Sequence, residues 1–492
     1  MNLLVMSLVS AAALSFSSCS SNDDLAGGAG TQSQADGVYM TLKISGATSH
    51  GTRTSVATPN TTEDGTVDES TITEGMMYIY EGNTCVFRKV ITADMFQTAP
   101  TQTSPGVTKP IKVAVTGAIT TNKPYKVYFL ANDKSVTDPL ATNASFTAST
   151  TGGANFATAN KFVMFNQNDG TVQANHSTVT FTDAAKSADN PAQADEIKLD
   201  RVVARIDNPL FAETAKTIND AAAGTTKNVT KVVASFDYVG YAASNLNNNS
   251  YVMQNWDSEF KTLSVKWGEA ANKYYQPKSS FGTLYKGENL TVFGTSNMYA
   301  FENTTNDVNE ATAVYFKIKA NLTDAEKDKA DFEDGTFYRY DGRLYTSIQD
   351  IYNDAATGAI SNPFTETNSI TPAGVVNMIK DETTNKLTTD EDKLAKFRAD
   401  YKIEVYREGM MYYRWAISDN AYKPFVENEA THTYSVLRNS IYRLNVTKIN
   451  EIGKDVPNGP EPDDPIKNPN FYMKVQVQVN PWILNTKDIE LK

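Results

Sequence analysis

Only two cysteines occur in 492 residues, Cys19 and Cys85. Cys19 lies in an apolar leader, so a disulfide framework is excluded and stability has to come from packing. Histidine is equally scarce: His50, His176 and His432 stand alone, without the i, i+4 partner of a helical zinc site. A phosphate-binding glycine loop, a Gly-x-Ser-x-Gly elbow, a Cys-x-x-Cys pair and a calcium loop of EF-hand spacing are all missing from the sequence. No enzyme, metal or cofactor is therefore expected. Asp390, Glu391 and Asp392 read as solvated loop carboxylates, since nothing sets a catalytic separation between them. Asp455, Asp463 and Asp464 are the nearest approach to a surface calcium set, and no metal is assigned there. Positive charge is in deficit, with 45 Lys and Arg against 57 Asp and Glu for a net charge of -12. That balance attracts neither nucleic acid nor an anionic lipid surface. Beyond the leader, no run approaches the roughly 20 apolar residues of a membrane-spanning helix.

The leader itself, Leu3 to Phe16, is too short to span and ends in Phe16-Ser17-Ser18-Cys19. Small residues before a cysteine are what a lipoprotein signal peptidase requires. Residues 1–19 are therefore read as an export signal and Cys19 as the lipid-modified N-terminus of an anchored precursor. Several acyl chains at about 0.8 kcal/mol per buried CH₂ make such an anchor stable. Residues 20–36 follow as a Gly-, Ser- and Gln-containing flexible tether.

Period-2 alternation dominates the remainder. Val38, Met40, Leu42 and Ile44 face one way, with Tyr39, Thr41, Lys43 and Ser45 opposite. Further strands are expected near 76–80, 85–91, 111–115, 126–131, 178–181, 196–206, 230–241, 291–293, 313–320, 401–406, 410–416, 440–449 and 471–479. Thr-, Asn-, Gly- and Asp-rich stretches separate them and favour turns over helix. Helical patches are few, and the better ones are 371–381 and 391–401, read as short insertions above a sheet face. The fold class is mostly β, with two tandem β-sandwich domains. The Asn-rich segment Ser244 to Ser250 suggests a division into 37–255 and 256–455.

Residues 456–470, VPNGPEPDDPIKNPN, hold five prolines and three acids, the composition of an extended, solvated spacer. Beyond it, 471–492 opens with the most regular alternation in the chain. Phe471, Met473, Val475, Val477 and Val479 share one face until Pro481 and Trp482 end the strand. So regular a strand at the end of a long spacer is suited to completing a sheet in another molecule.

Several of these segments, in this order, resemble the fimbrillins of the Bacteroidia-type (type V) pili, especially the stalk-subunit family of the minor fimbriae. The likeness is carried by Tyr39-Met40-Thr41-Leu42-Lys43-Ile44-Ser45 with Gly51-Thr52-Arg53-Thr54, by Tyr125-Lys126-Val127-Tyr128-Phe129-Leu130-Ala131-Asn132, and by Arg201-Val202-Val203-Ala204-Arg205. It continues through Met411-Tyr412-Tyr413-Arg414-Trp415 and Val436-Leu437-Arg438-Asn439-Ser440-Ile441-Tyr442-Arg443-Leu444 to the spacer and the strand ending Asn480-Pro481-Trp482.

The resemblance implies transthyretin-like sandwiches and a structural pilin that supports adhesion. Its precursor would be anchored to the outer membrane by lipid, and its mature form would reside in extracellular fimbriae. It also implies a trypsin-like, Arg-specific protease cutting between Arg53 and Thr54, which removes the strand carrying Val38, Met40, Leu42 and Ile44. A neighbouring copy would fill the vacancy with its own 471–479 strand, so identical subunits join head to tail beside anchor and tip subunits. The receptor on host or bacterial surfaces is not identified by any residue. Two alternatives stand beside the stalk pilin. One is a monomeric surface lipoprotein binding glycans through exposed Trp and Tyr; the other is a tip or anchor subunit of the same pilus.

Overall fold

The computed structural model describes residues 37–45, 65–96, 111–117, 119–141, 144–147, 153–167, 176–217, 226–254, 274–275, 293–305, 307–364, 370–418, 434–456, 473–481 and 485–487, the last two stretches as backbone. Cys19, Arg53, Thr54, Phe471 and Trp482, with the tether 20–36 and spacer residues 457–470, lie outside the described residues.

The chain is mostly β, and its sheets enclose three large apolar cores. Around the first core, one sheet consists of Ala192–Gln193, Gly37–Leu42 and Ile111–Thr116, in that order. A larger sheet runs Ile44–Ser45, Ile197–Arg201, Met164–Asn166, Pro124–Ala131, Gly75–Glu81 and Thr84–Ile91, with Ser177–Thr180 also paired to Pro124–Ala131. Gly75–Glu81 reads as a continuous apolar run because it is interior to the sheet and buried on both faces. The Tyr78 hydroxyl meets the polar rule for buried groups by donating to the Val136 carbonyl at 2.6 Å, and that of Tyr80 donates to Asp138.

The second core lies between a six-stranded and a three-stranded sheet. The former runs Met298–Ala300, Ala204–Ile206, Ser440–Ile449, Met473–Pro481 and Asn485–Lys487, with Leu210–Phe211 also on Ser440–Ile449. The latter consists of Val233–Ser244, Ala313–Leu322 and Met410–Ala416. Between its last two strands the chain inserts a module with its own core, in which Tyr338, Ile348, Ile351, Ile379, Leu394, Ile403 and Val405 are buried. The module pairs Phe337–Tyr340 with Arg343–Tyr345 and Glu404–Tyr406 and adds helices Ile348–Ala356, Pro372–Ile379 and Glu391–Tyr401. Two of these helices match the expected spans. Asp390 caps the last by accepting from the Asp392 and Lys393 amides at 3.1 and 3.2 Å. Asp390 therefore caps a helix, and the Glu391 carboxylate accepts from Arg407 Nη2 at 2.6 Å, so neither lies free in a loop.

The cores change over between Val203 and Ala204, with Val252 and Phe301 returning to the first. A single strand was expected over 196–206; the chain instead makes Ile197–Arg201 in one unit and Ala204–Ile206 in the next. Nothing punctuates this crossing, because Val202 and Val203 are themselves fully buried. The Asn-rich stretch, read as the division near 255, is structured. Asn245, Asn247 and Asn248 are buried, and Asn249–Tyr251 pairs with Ser145–Thr147 of the first unit. The Asn245 amide donates to the Asn309 and Ala311 carbonyls at 2.7 and 3.0 Å. Asparagine here supplies buried hydrogen bonds, a use that composition cannot distinguish from a solvated turn.

Candidate assembly sites

The first strand occupies an interior place in its sheet. Gly37–Leu42 runs antiparallel to Ile111–Thr116, with Val38 opposite Val115, Met40 opposite Val113 and Leu42 opposite Ile111. On its other side Met40 and Thr41 lie parallel to Ala192 and Gln193. The carbonyls of Thr41 and Lys43 accept from the Ala194 and Ile197 amides at 3.1 and 3.0 Å. Ile44–Ser45 then crosses to the larger sheet and pairs with Ile197–Lys198. Val38 is 5% exposed, and Met40, Leu42 and Ile44 are completely buried, as the alternation requires. Taking these residues away leaves a slot with apolar walls and unpaired backbone on both sides.

The C-terminal strand lies in its own molecule. Met473–Pro481 runs antiparallel to Ser440–Ile449, from Met473 opposite Ile449 to Pro481 opposite Ser440, and is flanked on the other edge by Asn485–Lys487. Ile449 and Met473 are register partners although residues 450–472 separate them in sequence. Two antiparallel neighbours can be joined by about two residues. Most of this connection is thus surplus to the pairing it closes.

A third constellation joins the two β units, and it engages the arginine motifs whose purpose the sequence left open. Arg201, the last residue of its strand, is completely buried. Its Nε donates to the Glu69 carbonyl at 2.8 Å, its Nη2 to the Ser70 hydroxyl at 2.7 Å and its Nη1 to Asn439 Oδ1 at 3.2 Å. Burial lowers its pKa to about 10, against the pull of Glu69 and Asp200, so it remains charged at neutral pH. Arg205 bridges Glu69 Oε1 and Asp207 Oδ1, both at 2.6 Å. Burial alone would raise the Glu69 carboxyl; the charge and hydrogen bond of Arg205, with the Thr66 amide and Arg201, bring it below its ordinary value. Arg438 makes a parallel clamp, holding Glu302 Oε2 at 2.9 Å and the Val252 and Tyr251 carbonyls at 2.9 and 2.6 Å. Asn439 adopts a left-handed φ of 56° and donates to Asp200 Oδ1 at 2.7 Å.

Residues 404–488 match the family described as "Major fimbrial subunit protein type IV, Fimbrillin, C-terminal". The match covers 85 of the 492 residues, so this stretch is similar to the C-terminal region of fimbrillins. The matched region takes in the strands from Glu404–Tyr406 to Asn485–Lys487, including Arg438, Asn439 and the C-terminal strand. Among solved structures, the chain is similar to a fimbrilin from Porphyromonas gingivalis W83 at 13% identity and a TM-score of 0.41, covering 92% of this chain and 99% of that one. It is also similar to a protein from Parabacteroides distasonis ATCC 8503 provisionally assigned to cell adhesion, at 13% identity and a TM-score of 0.39, covering 91% and 97%. No curated protein matches the sequence.

Among the described residues, no group of three His, Cys, Asp or Glu is placed to hold a metal ion. Asp455 is instead held by Arg398, whose Nε lies 2.5 Å from its carboxylate. No helix among the described residues is long and apolar enough to cross a membrane.

Proposed function

We propose that the protein is a stalk pilin of a surface fimbrium, lipid-anchored through Cys19 as a precursor and polymerised by strand exchange. The observation that carries this reading is the interior position of the first strand. Residues 37–45 form the part of the described chain that one cut between Arg53 and Thr54 would sever from the body. The same cut would remove everything upstream, Cys19 included. The donor is Met473–Val479 of the next copy, whose alternation repeats the spacing of Val38, Met40, Leu42 and Ile44. Its seat beside Ser440–Ile449 is then a stored position, and the surplus connection lets it leave without disturbing the body.

Filling the slot re-buries four apolar positions at about 1.5 to 3 kcal/mol each, set against the ordering and association costs of joining two molecules. Donor and acceptor are different surfaces, so the contact repeats along an open filament. The role is structural, and the partners are identical subunits, an Arg-specific protease, and anchor and tip subunits. N-terminal sequencing of surface-assembled material is expected to begin at Thr54. Arg53→Gln is expected to stay an unassembled lipidated monomer; high-mass ladders from that variant would overturn the reading.

A further inference from the structure

The inserted module between Ala313–Leu322 and Met410–Ala416 has no part in the exchange itself. Its sheet nevertheless abuts residues 451–456, the last described residues before the Pro-rich spacer. Glu451, Ile452, Asp455 and Val456 are all buried there. The Glu451 carbonyl accepts from the Tyr413 hydroxyl at 2.7 Å, and the Gly453 carbonyl from the Tyr406 hydroxyl at 2.9 Å. Lys454 exchanges both backbone hydrogen bonds with Tyr412, at 2.8 and 2.9 Å. Asp455 Oδ2 accepts from Arg398 Nε at 2.5 Å and from the Val405 amide at 3.0 Å. A Cβ at position 453 would lie 2.8 Å from the Tyr412 carbonyl oxygen and 2.8 Å from the Tyr413 ring, so only glycine lets the chain come this close. The segment just before the Pro-rich stretch is thus held from both sides, and Arg398, Val405 and Tyr406 come from the module.

We propose that the inserted module is a clamp on the root of the C-terminal arm, with Arg398 and the Val405 amide as its jaws and Asp455 as the part gripped. The inference rests on the strand-exchange reading and adds the fixed point of that exchange. With the root held, only residues beyond Val456 contribute reach, which from there to Met473 is at most about 60 Å for an extended chain. The clamp therefore sets the distance from one subunit's body to the slot of the next. Releasing residues 451–456 would lengthen the arm by about 20 Å.

The test uses the full chain, protease-treated, with the spacer shortened stepwise within 457–470 until ladders are lost. Asp455→Ala combined with Gly453→Ala opens the clamp, and added to the first failing spacer it is expected to restore ladders. A folded, cut protein that carries these substitutions and still fails to assemble overturns the proposal. Hydrogen exchange gives an independent reading should the double variant fail to fold. The amides of Val405, Tyr412 and Lys454 are expected to stay protected in unsubstituted filaments while those of 440–449 facing 473–481 lose protection. Loss of protection at both places on assembly overturns the clamp. If ladders form from a chain lacking 473–481 altogether, the donor assignment fails instead, and exchange at Val405 and Lys454 still reports on the clamp.

Discussion

Glu69 is the residue on which the junction between the β units converges. Its backbone carbonyl receives Arg201, its carboxylate receives Arg205, and Tyr299 donates to the same oxygen at 3.2 Å. Removing one member of a buried ion pair leaves the other charge without full compensation. Glu69→Gln keeps the shape and is expected to lower stability by about 1.5 to 3 kcal/mol, as a lost charge-assisted hydrogen bond does; urea denaturation measures it. The folded-state pKa of this carboxyl is depressed, chiefly by Arg205 acting against desolvation. Its contribution is therefore present above the ordinary unfolded value of about 4.3 and fades as pH falls through the lower folded value. Wild type and Glu69→Gln should accordingly converge in stability on acidification, and midpoints collected from neutral to acid pH will show whether they do.

At the level of elements, alternation located several strands, although the strand expected over 230–241 opens as the short helix Val229–Val232. The first strand, Ser440–Ile449 and Met473–Pro481 all fall where the pattern set them. The helices at Pro372–Ile379 and Glu391–Tyr401 fall within the expected spans 371–381 and 391–401, and Thr371 and Asp390, the latter read as a loop carboxylate, cap them. The crossing at Val202 and Val203 was not legible, because an apolar strand end running into an apolar strand start leaves no turn residue to mark it. Nor could sequence pair Arg201 with Asn439, or Arg438 with Glu302, across well over a hundred residues. Motif likeness flagged those arginines without saying what they touch. The seat of the C-terminal strand was hidden for a related reason, since its alternation fits its own sheet and a neighbour's slot equally well. A differential substitution tests whether cutting removes the first strand. Met40→Ala is expected to destabilise the uncut chain by about 2 to 5 kcal/mol. It should have no effect on the cut body once the severed strand has gone, as denaturation of both forms would reveal.

Taken whole, the proposed exchange would use a place at one β unit, filled here by residues 37–45, and a strand seated at the other, Met473–Pro481. A chain ending at Asn470 is expected to be secreted and folded yet to give no ladders after cutting, as gel electrophoresis without boiling would show. Its slot remains competent, so a peptide of residues 471–481 supplied in excess should bind it and raise its melting temperature. An unchanged melting temperature with saturating peptide would mean that the slot does not accept this strand.

The absence of any linker between Arg201 and Arg205 has a mechanical consequence. Tension entering one β unit passes straight into the next through a few buried arginine contacts and a continuous backbone. The two β units are therefore expected to turn and stretch as one body under load.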